Sequence, residues 1–196
     1  MQSIIEPKIA HQMGKRGWTT DSLESVIANP SKTVVTKDTR FDPVSGTRLN
    51  DPATGYVAKD GSYVVRNDQT GAIVQVSDKM IKTGSHHGSR AMKEFVFLGF
   101  GPEPTRLWGG TPLFNLSDSH ELLNYCDTRD AAVLGIEGFK IVGDKRIPDL
   151  DCIADFSALA VAAREAFPAL SRESAEVFIE PTPDRDIFLE FVLVRV

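Results

Sequence analysis

Lys8, Gln12 and Arg16 recur at intervals of four in the run Lys-Ile-Ala-His-Gln-Met-Gly-Lys-Arg-Gly-Trp, which ends at Trp18. On an α-helix that spacing stacks side chains along one face, so the three form a row of two cations around an amide. His11 and Lys15 flank the row, and Ile9 and Met13 fall on another face. A cationic row with an amide in its middle is a good grip for a phosphate. The helix is bracketed in the sequence itself: Pro7 has no N–H to lose in a first turn, and Gly17 suits the residue just past the end. Most short basic amphipathic helices are nothing more than solvated faces. The row therefore takes its meaning from what surrounds it.

The chain has 196 residues, enough for one large domain or two small ones, and its 41% hydrophobic content is ordinary for a globular protein. No apolar run approaches the ~20 residues of a membrane span, and no signal peptide heads the sequence. Cys126 and Cys152 have no metal-ligand spacing and read as buried free thiols rather than a disulfide framework, with a single bridge between them left open. The net charge of −5 hides an asymmetry: residues 1–91 hold 12 Lys and Arg against 9 Asp and Glu, a balance of +3, and residues 92–196 hold 10 against 18, a balance of −8. A basic module beside an acidic one suggests a nucleic-acid-directed protein with a partner that imitates the anion.

The row must be positioned by its neighbours. Thr19 and Thr20 can cap a second helix through Leu23, Val26 and Ile27, which Asn29-Pro30 stops. Thr33 to Thr36 reads as a strand, and Asp38 to Thr54 as a polar loop. Tyr56–Ala58, Ser62–Asn67 and Ala72–Ser77 alternate as strands joined at Lys59-Asp60-Gly61 and Asp68-Gln69-Thr70-Gly71 into an antiparallel meander. Two helices and a small antiparallel sheet make an α+β module over residues 1–79.

Residues 80–91 read as a linker, with an engineered look to Gly84-Ser-His-His-Gly-Ser89; a cloning scar or tether fits the His pair better than a metal site, so no metal or cofactor is expected. A second α+β domain spans 92–196. Its expected elements are a strand at Phe95–Phe100, a Gly- and Pro-rich stretch at Gly99–Pro112, and a helix capped by Ser117 or Asp118 through Leu122, Leu123 and Cys126. Strands follow at Ala131–Ile136 and Phe139–Val142, with a turn at Gly143-Asp144. The Ala-rich stretch Phe156–Phe167 reads as a helix stopped by Pro168, and Val177–Ile179 and Ile187–Val196 as a hairpin. No catalytic motif appears in this half.

The words Gln12-Met13, Arg16-Gly17-Trp18-Thr19, Asn50-Asp51-Pro52-Ala53-Thr54, Tyr63-Val64-Val65, Asn67-Asp68, Thr70-Gly71 and Gln75-Val76-Ser77-Asp78-Lys79 resemble the colicin E-five type ribonuclease domain in order and spacing. The resemblance covers about residues 4–79. It implies a toxin that cuts the anticodon loops of tRNAs for tyrosine, histidine, asparagine and aspartate after the wobble base, released into the target-cell cytoplasm from a larger secreted effector. It also implies an acidic immunity protein that mimics the anticodon.

The family's lysine, glutamine and arginine fall on Lys8, Gln12 and Arg16. Its central-loop lysine has no secure counterpart, and Lys37 or Arg40 can stand in. Metal-free RNA cleavage needs a base near the ribose 2′-OH, an acid near the departing 5′ oxygen, and cations on the phosphorane. Lys8 is assigned to proton transfer, Arg16 to the phosphate and Gln12 to orientation, giving a 2′,3′-cyclic phosphate. His11 departs from the family pattern and reads first as a surface side chain, then as an accessory. Trp18 offers a base-stacking surface but more simply anchors the core. Asn50, Asp51, Asn67, Asp68, Asp78 and Lys79 are candidate RNA contacts, with backbone capping an equal reading for the first four.

The acidic half then reads as the cognate immunity protein, in which Leu134-Gly135-Ile136-Glu137-Gly138 is similar to a segment of that family. Glu137, Asp144, Asp149, Asp151 and Asp155 are its candidate phosphate mimics, and Trp108 or Phe139 its candidate base mimic. The competing readings are a natural two-domain protein with an inactive RNA-binding module, and an acidic half unrelated to the first.

Overall fold

The computed structural model describes residues 3–79, 102–182 and 186–196. The expected linker at 80–91 and the expected strand at 95–100 lie outside the described residues. In chain order the first elements are α1 (Pro7–Lys15), α2 (Thr20–Ala28), β1 (Lys32–Asp38), β2 (Phe41–Asp42), β3 (Thr47–Arg48), β4 (Asp51–Val57), β5 (Tyr63–Asn67) and β6 (Ile73–Val76). Then come β7 (Arg106–Trp108), β8 (Thr111–Leu113), α3 (Leu116–Asp127), β9 (Ala131–Val142), β10 (Lys145–Asp155), α4 (Ser157–Ala162), α5 (Phe167–Ile179) and β11 (Ile187–Arg195). Helices and largely antiparallel sheets make the chain α+β, as expected. It divides into two compact units, one of residues 1–39 and 49–86, the other of 40–48 and 87–196.

In the first unit β1, β4, β5 and β6 form an antiparallel meander in that order, joined by turns at Gly61 and Gly71, both with positive φ. One face carries the main core, Ile9, Met13, Trp18, Leu23, Val64, Ile73 and Val76, and the other the smaller cluster Ala53, Val65 and Val74. Val64 and Val65 face opposite sides, as alternation requires. Ile73 and Val76 share a side because the ladder slips between Val65 and Arg66, where β6 supplies one extra residue. α2 has a full capping box between Thr19 and Ser22 and buries Leu23 completely. Truncating such a side chain to Ala costs about 2–5 kcal/mol.

The expected loop from Asp38 to Thr54 is corrected in two ways. Its end is β4, paired with β1 from Asp51 opposite Asp38 to Val57 opposite Lys32. Its middle is the β2–β3 hairpin, which belongs to the second unit. Neither was visible in a stretch rich in Gly, Pro and charge.

The second unit is built on a five-stranded sheet ordered β11-β9-β10-β2-β3, with α3 and α5 packed through Leu122, Leu123, Cys126, Ala175, Phe178 and Ile179. Six expectations are corrected here. Glu137-Gly138 does not break β9, which runs unbroken; Gly138 serves close packing instead, since a Cβ there would lie 2.5 Å from Cβ and Sγ of Cys152. β10 was missed, because Pro148 and its acidic residues disguise a strand with a bulge between Asp149 and Ile153. Pro168 opens α5 rather than stopping a helix, occupying the first turn where its missing N–H costs nothing. Val177–Ile179 consequently ends α5 and is not a strand. The cap of α3 is Asn115, whose Oδ1 accepts from the Asp118 N–H at 2.7 Å, two residues before Ser117 and three before Asp118. The β7–β8 hairpin replaces the expected irregular stretch around Trp108, and β11 forms where Ile187–Val196 was expected.

Candidate functional site

α1 is held at both ends. Before it, Ile4 bonds to Gly71 O and accepts from the Ile73 N–H, each at 2.9 Å, tying the entry of the helix to β6. Pro7 occupies the first turn as expected. After it, Gly17 turns left-handed with φ 76°, and the Trp18 N–H returns to Met13 O at 2.8 Å, closing the end in the manner only a positive-φ residue allows cheaply. Ile9 and Met13 are in the core, so the opposite face is set by packing and not by propensity alone.

Lys8, Gln12 and Arg16 are brought to one side by that registry, and all three are buried, at 0%, 0% and 4% exposure. Lys8 and Arg16 are about 12 Å apart along the axis, within reach of two long side chains leaning together. Arg16 is fixed by its Nη1 donating to Val76 O at 2.7 Å, with its Nε 3.9 Å from Asp78 Oδ1. Lys79 closes the same end: its N–H bonds to Arg16 O at 3.0 Å and its ammonium lies 4.6 Å from the Trp18 ring centroid. The Gln12 amide is the anomaly, since neither its oxygen nor its nitrogen has a hydrogen-bond partner among the described residues. A buried amide in that state costs about 1–3 kcal/mol, and a group kept so points to a missing polar ligand.

The remaining candidates divide. His11 and Lys15 are half-buried beside the row. Trp18 is a core residue, buried to 4% with its indole N–H on Ser77 O at 2.6 Å, which corrects the base-stacking reading in favour of the core anchor, because a buried ring does not offer its surface to a base. Asn67 is consumed structurally: its Nδ2 donates to Asp38 and Asp51 at 2.9 and 3.0 Å, and its Oδ1 accepts from the Gln69 and Thr70 amides. Asp68 accepts from Thr54. Asn50 accepts from the exposed Lys37 Nζ at 2.9 Å. Only Asp78 and Lys79 of this group are placed at the row, through Arg16. Arg40 is buried and lies in the second unit, 3.3 Å from Asp155.

Among the acidic-half candidates, Trp108 is half-buried on β7 under the Arg106 guanidinium, Asp144 is exposed in the β9–β10 turn, and Asp149 pairs with Lys140 at 3.5 Å. Glu137 and Phe139 are buried in β9, with Arg146 4.3 Å over the Phe139 ring and 3.0 Å from Glu190. Glu190 lies opposite Glu137, and its burial gave no signal in the sequence. Cys126 and Cys152 are free and buried, and desolvation pushes both thiols up to about 12. No cluster able to hold a metal occurs among the described residues.

Comparison with known proteins places this geometry. Residues 5–88 match the family model described as the Colicin E5 ribonuclease domain. Over 82 residues the chain is 40% identical to Colicin-E5 of Escherichia coli, covering 38% of this chain and 42% of that protein. Over 77 residues it is 39% identical to a tRNA nuclease CdiA of Burkholderia pseudomallei, covering 39% of this chain and 6% of that protein. The chain thus spans less than half of either relative. The matched segment ends before the acidic half begins.

Proposed function

We propose, with residues 5–88 being a colicin E5 ribonuclease domain, that the first unit is a toxin tRNA endonuclease and that the acidic remainder is its inhibitor. The observation that carries the reading is the buried row itself: two cations around an amide whose polar atoms lack partners among the described residues, aligned on a helix locked at both ends. Lys8 takes the proton from a ribose 2′-OH, the 2′ oxygen attacks phosphorus, and the P–O5′ bond breaks as the leaving oxygen gains a proton. Gln12 orients the scissile group. Arg16, already aimed by Val76 O, neutralises the charge gathering on the phosphorane, the largest single contribution such a site makes. The products are a 2′,3′-cyclic phosphate and a 5′-OH, with no metal or cofactor in any step.

The match to a tRNA nuclease CdiA supports tRNA as substrate; the anticodon loops of tRNAs for tyrosine, histidine, asparagine and aspartate are the targets that the sequence resemblance implies. Delivery from a larger secreted effector into the target-cell cytoplasm follows from the same resemblance, and the matched segment makes up only 6% of the CdiA relative. The opposite charges of the halves, +3 over residues 1–91 and −8 over residues 92–196, support inhibition by tRNA mimicry. The test compares intact chain with residues 1–82 on total tRNA in the presence of a chelator. Cleavage by residues 1–82 and little by the intact chain is expected. Equal activity in both would remove the inhibitor reading, and intact tRNA in both would remove the nuclease.

A further inference from the structure

We propose that Arg40–Arg48 is a docking hairpin, a pair of strands that the first unit lends to the edge of the second unit's sheet and by which the acidic half captures it. The loop between the paired residues Asp38 and Asp51 leaves the first unit after Thr39, and Arg40–Arg48 clusters with the second unit before the chain returns at Leu49. There β2 pairs in parallel with β10 through Phe41 and Ala154, and β3 closes the sheet's outer edge. Without these strands the Cys152–Asp155 end of β10 would be an open edge, which stable proteins cover or blunt.

Three side-chain contacts turn this pairing into recognition. Phe41 is 7% exposed inside the second unit's core, its ring 5.8 Å from that of Phe178. Arg48, opposite Phe41 in the hairpin, lays its guanidinium 5.3 Å over the same Phe178 ring. Arg40 meets Asp155 at 3.3 Å with both side chains 7% exposed, and Asp155 also accepts from the Ser157 N–H at 3.0 Å, so the carboxylate is aimed before the arginine arrives. An aromatic anchor in a desolvated pocket beside a buried charge pair is the arrangement that concentrates binding energy.

The hairpin is also shaped in advance. Asp42 accepts from the Val44 and Ser45 amides at 3.0 and 3.2 Å, its carbonyl accepts from Gly46 at 2.9 Å, and Gly46 takes φ 67°. Desolvation acts to raise the Asp42 pKa, yet the Ser45 side chain and these amides leave it net lowered, so the turn stays charged and closed at neutral pH. Ordering cost on docking is correspondingly small. What the association achieves rests on the reading of the acidic half as an inhibitor; the docking itself does not.

The experiment introduces a protease site within residues 80–101 of the full chain, cuts it, and measures whether the two fragments stay together by gel filtration in 0.1 and 0.5 M salt. The cut wild type is expected to co-elute at both. Phe41→Asp should weaken the association at least ~100-fold, and co-elution of the cut Phe41→Asp chain as tightly as wild type overturns the proposal. Phe41→Asp can also loosen the second unit, so Arg40→Ala, Asp155→Ala and the double variant form a second, independent measurement. The proposal expects a coupling of ~10-fold or more in the dissociation constant; independent, additive effects of the two changes would overturn it. Dissociation of the Phe41→Asp fragments with no tRNA cleavage would support the docking hairpin while counting against the nuclease.

Discussion

Arg16→Lys separates what Arg16 does for the fold from what it does for the reaction. Its Nη1 reaches Val76 O at 2.7 Å while Nε faces Asp78 at 3.9 Å, so one planar group is held by the sheet through one donor and turned toward a carboxylate with another. Lysine keeps the charge but not the fork, and cannot hold the carbonyl and a phosphorane together. Losing a buried bond from a charged donor costs about 1.5–3 kcal/mol, and in a unit of this size each kcal/mol lowers Tm by about 4–8 °C. Residues 1–82 carrying Arg16→Lys should therefore melt roughly 6–24 °C lower by circular dichroism. Below that melting point tRNA cleavage should still fall about 10²–10³-fold, as when one oxyanion donor is removed. The assay is a single-turnover time course on labelled tRNA at a temperature where both proteins are folded. A variant that loses stability and keeps wild-type rate would refute the reasoning, leaving Arg16 as a structural clamp.

Other predictions are narrower. Lys8→Ala in residues 1–82 should abolish tRNA cleavage without lowering Tm, and full activity would place the proton transfer elsewhere. His11→Ala should keep most of the activity in the same assay, because His11 only flanks the row; a large loss would make it part of the machinery. Gly138→Ala should destabilise the intact chain by about 1–3 kcal/mol in urea unfolding, since the new Cβ collides with Cys152, and Cys152→Ala in the same chain should recover only the part due to Sγ. Burial holds the Cys126 and Cys152 thiols protonated up to about 12, against 9.0 when exposed. Unfolding frees them to ionise, so their contribution to stability is full below pH 9 and is lost as pH rises toward 12. Native protein at pH 8 should accordingly show no rapid reaction with a thiol reagent, and unfolded protein should show two thiols.

Much of the first unit was legible because its signals are local. Pro7 and Gly17 bracket α1, Thr19 caps α2, and Gly61 and Gly71 mark the turns, each with backbone chemistry confined to a few neighbours. The row on α1 was legible for the same reason, as spacing on a helix is read from the chain alone. Its burial was not, nor was the grip of Val76 O on Arg16, because these depend on residues 60 positions away. The hairpin at Arg40–Arg48 is hidden for a similar reason: its partner Asp155 is 115 residues downstream, and nine mostly polar, Gly- and Pro-bearing residues look like any loop until the edge of β10 is known. Pro168 shows a different failure. Proline both ends helices and opens them, and only the spacing of Ser171, Ala175 and Phe178 beyond it, read as a buried face, would choose correctly.

The most direct measurement is to sequence both ends of every fragment left when total bacterial tRNA is exposed to residues 1–82. A row that holds and breaks a single class of phosphodiester predicts cuts confined to the anticodon loops of tRNAs for tyrosine, histidine, asparagine and aspartate, each leaving a 2′,3′-cyclic phosphate and a 5′-OH. Undamaged tRNA, or fragments ending in 3′-OH and 5′-phosphate, would contradict it.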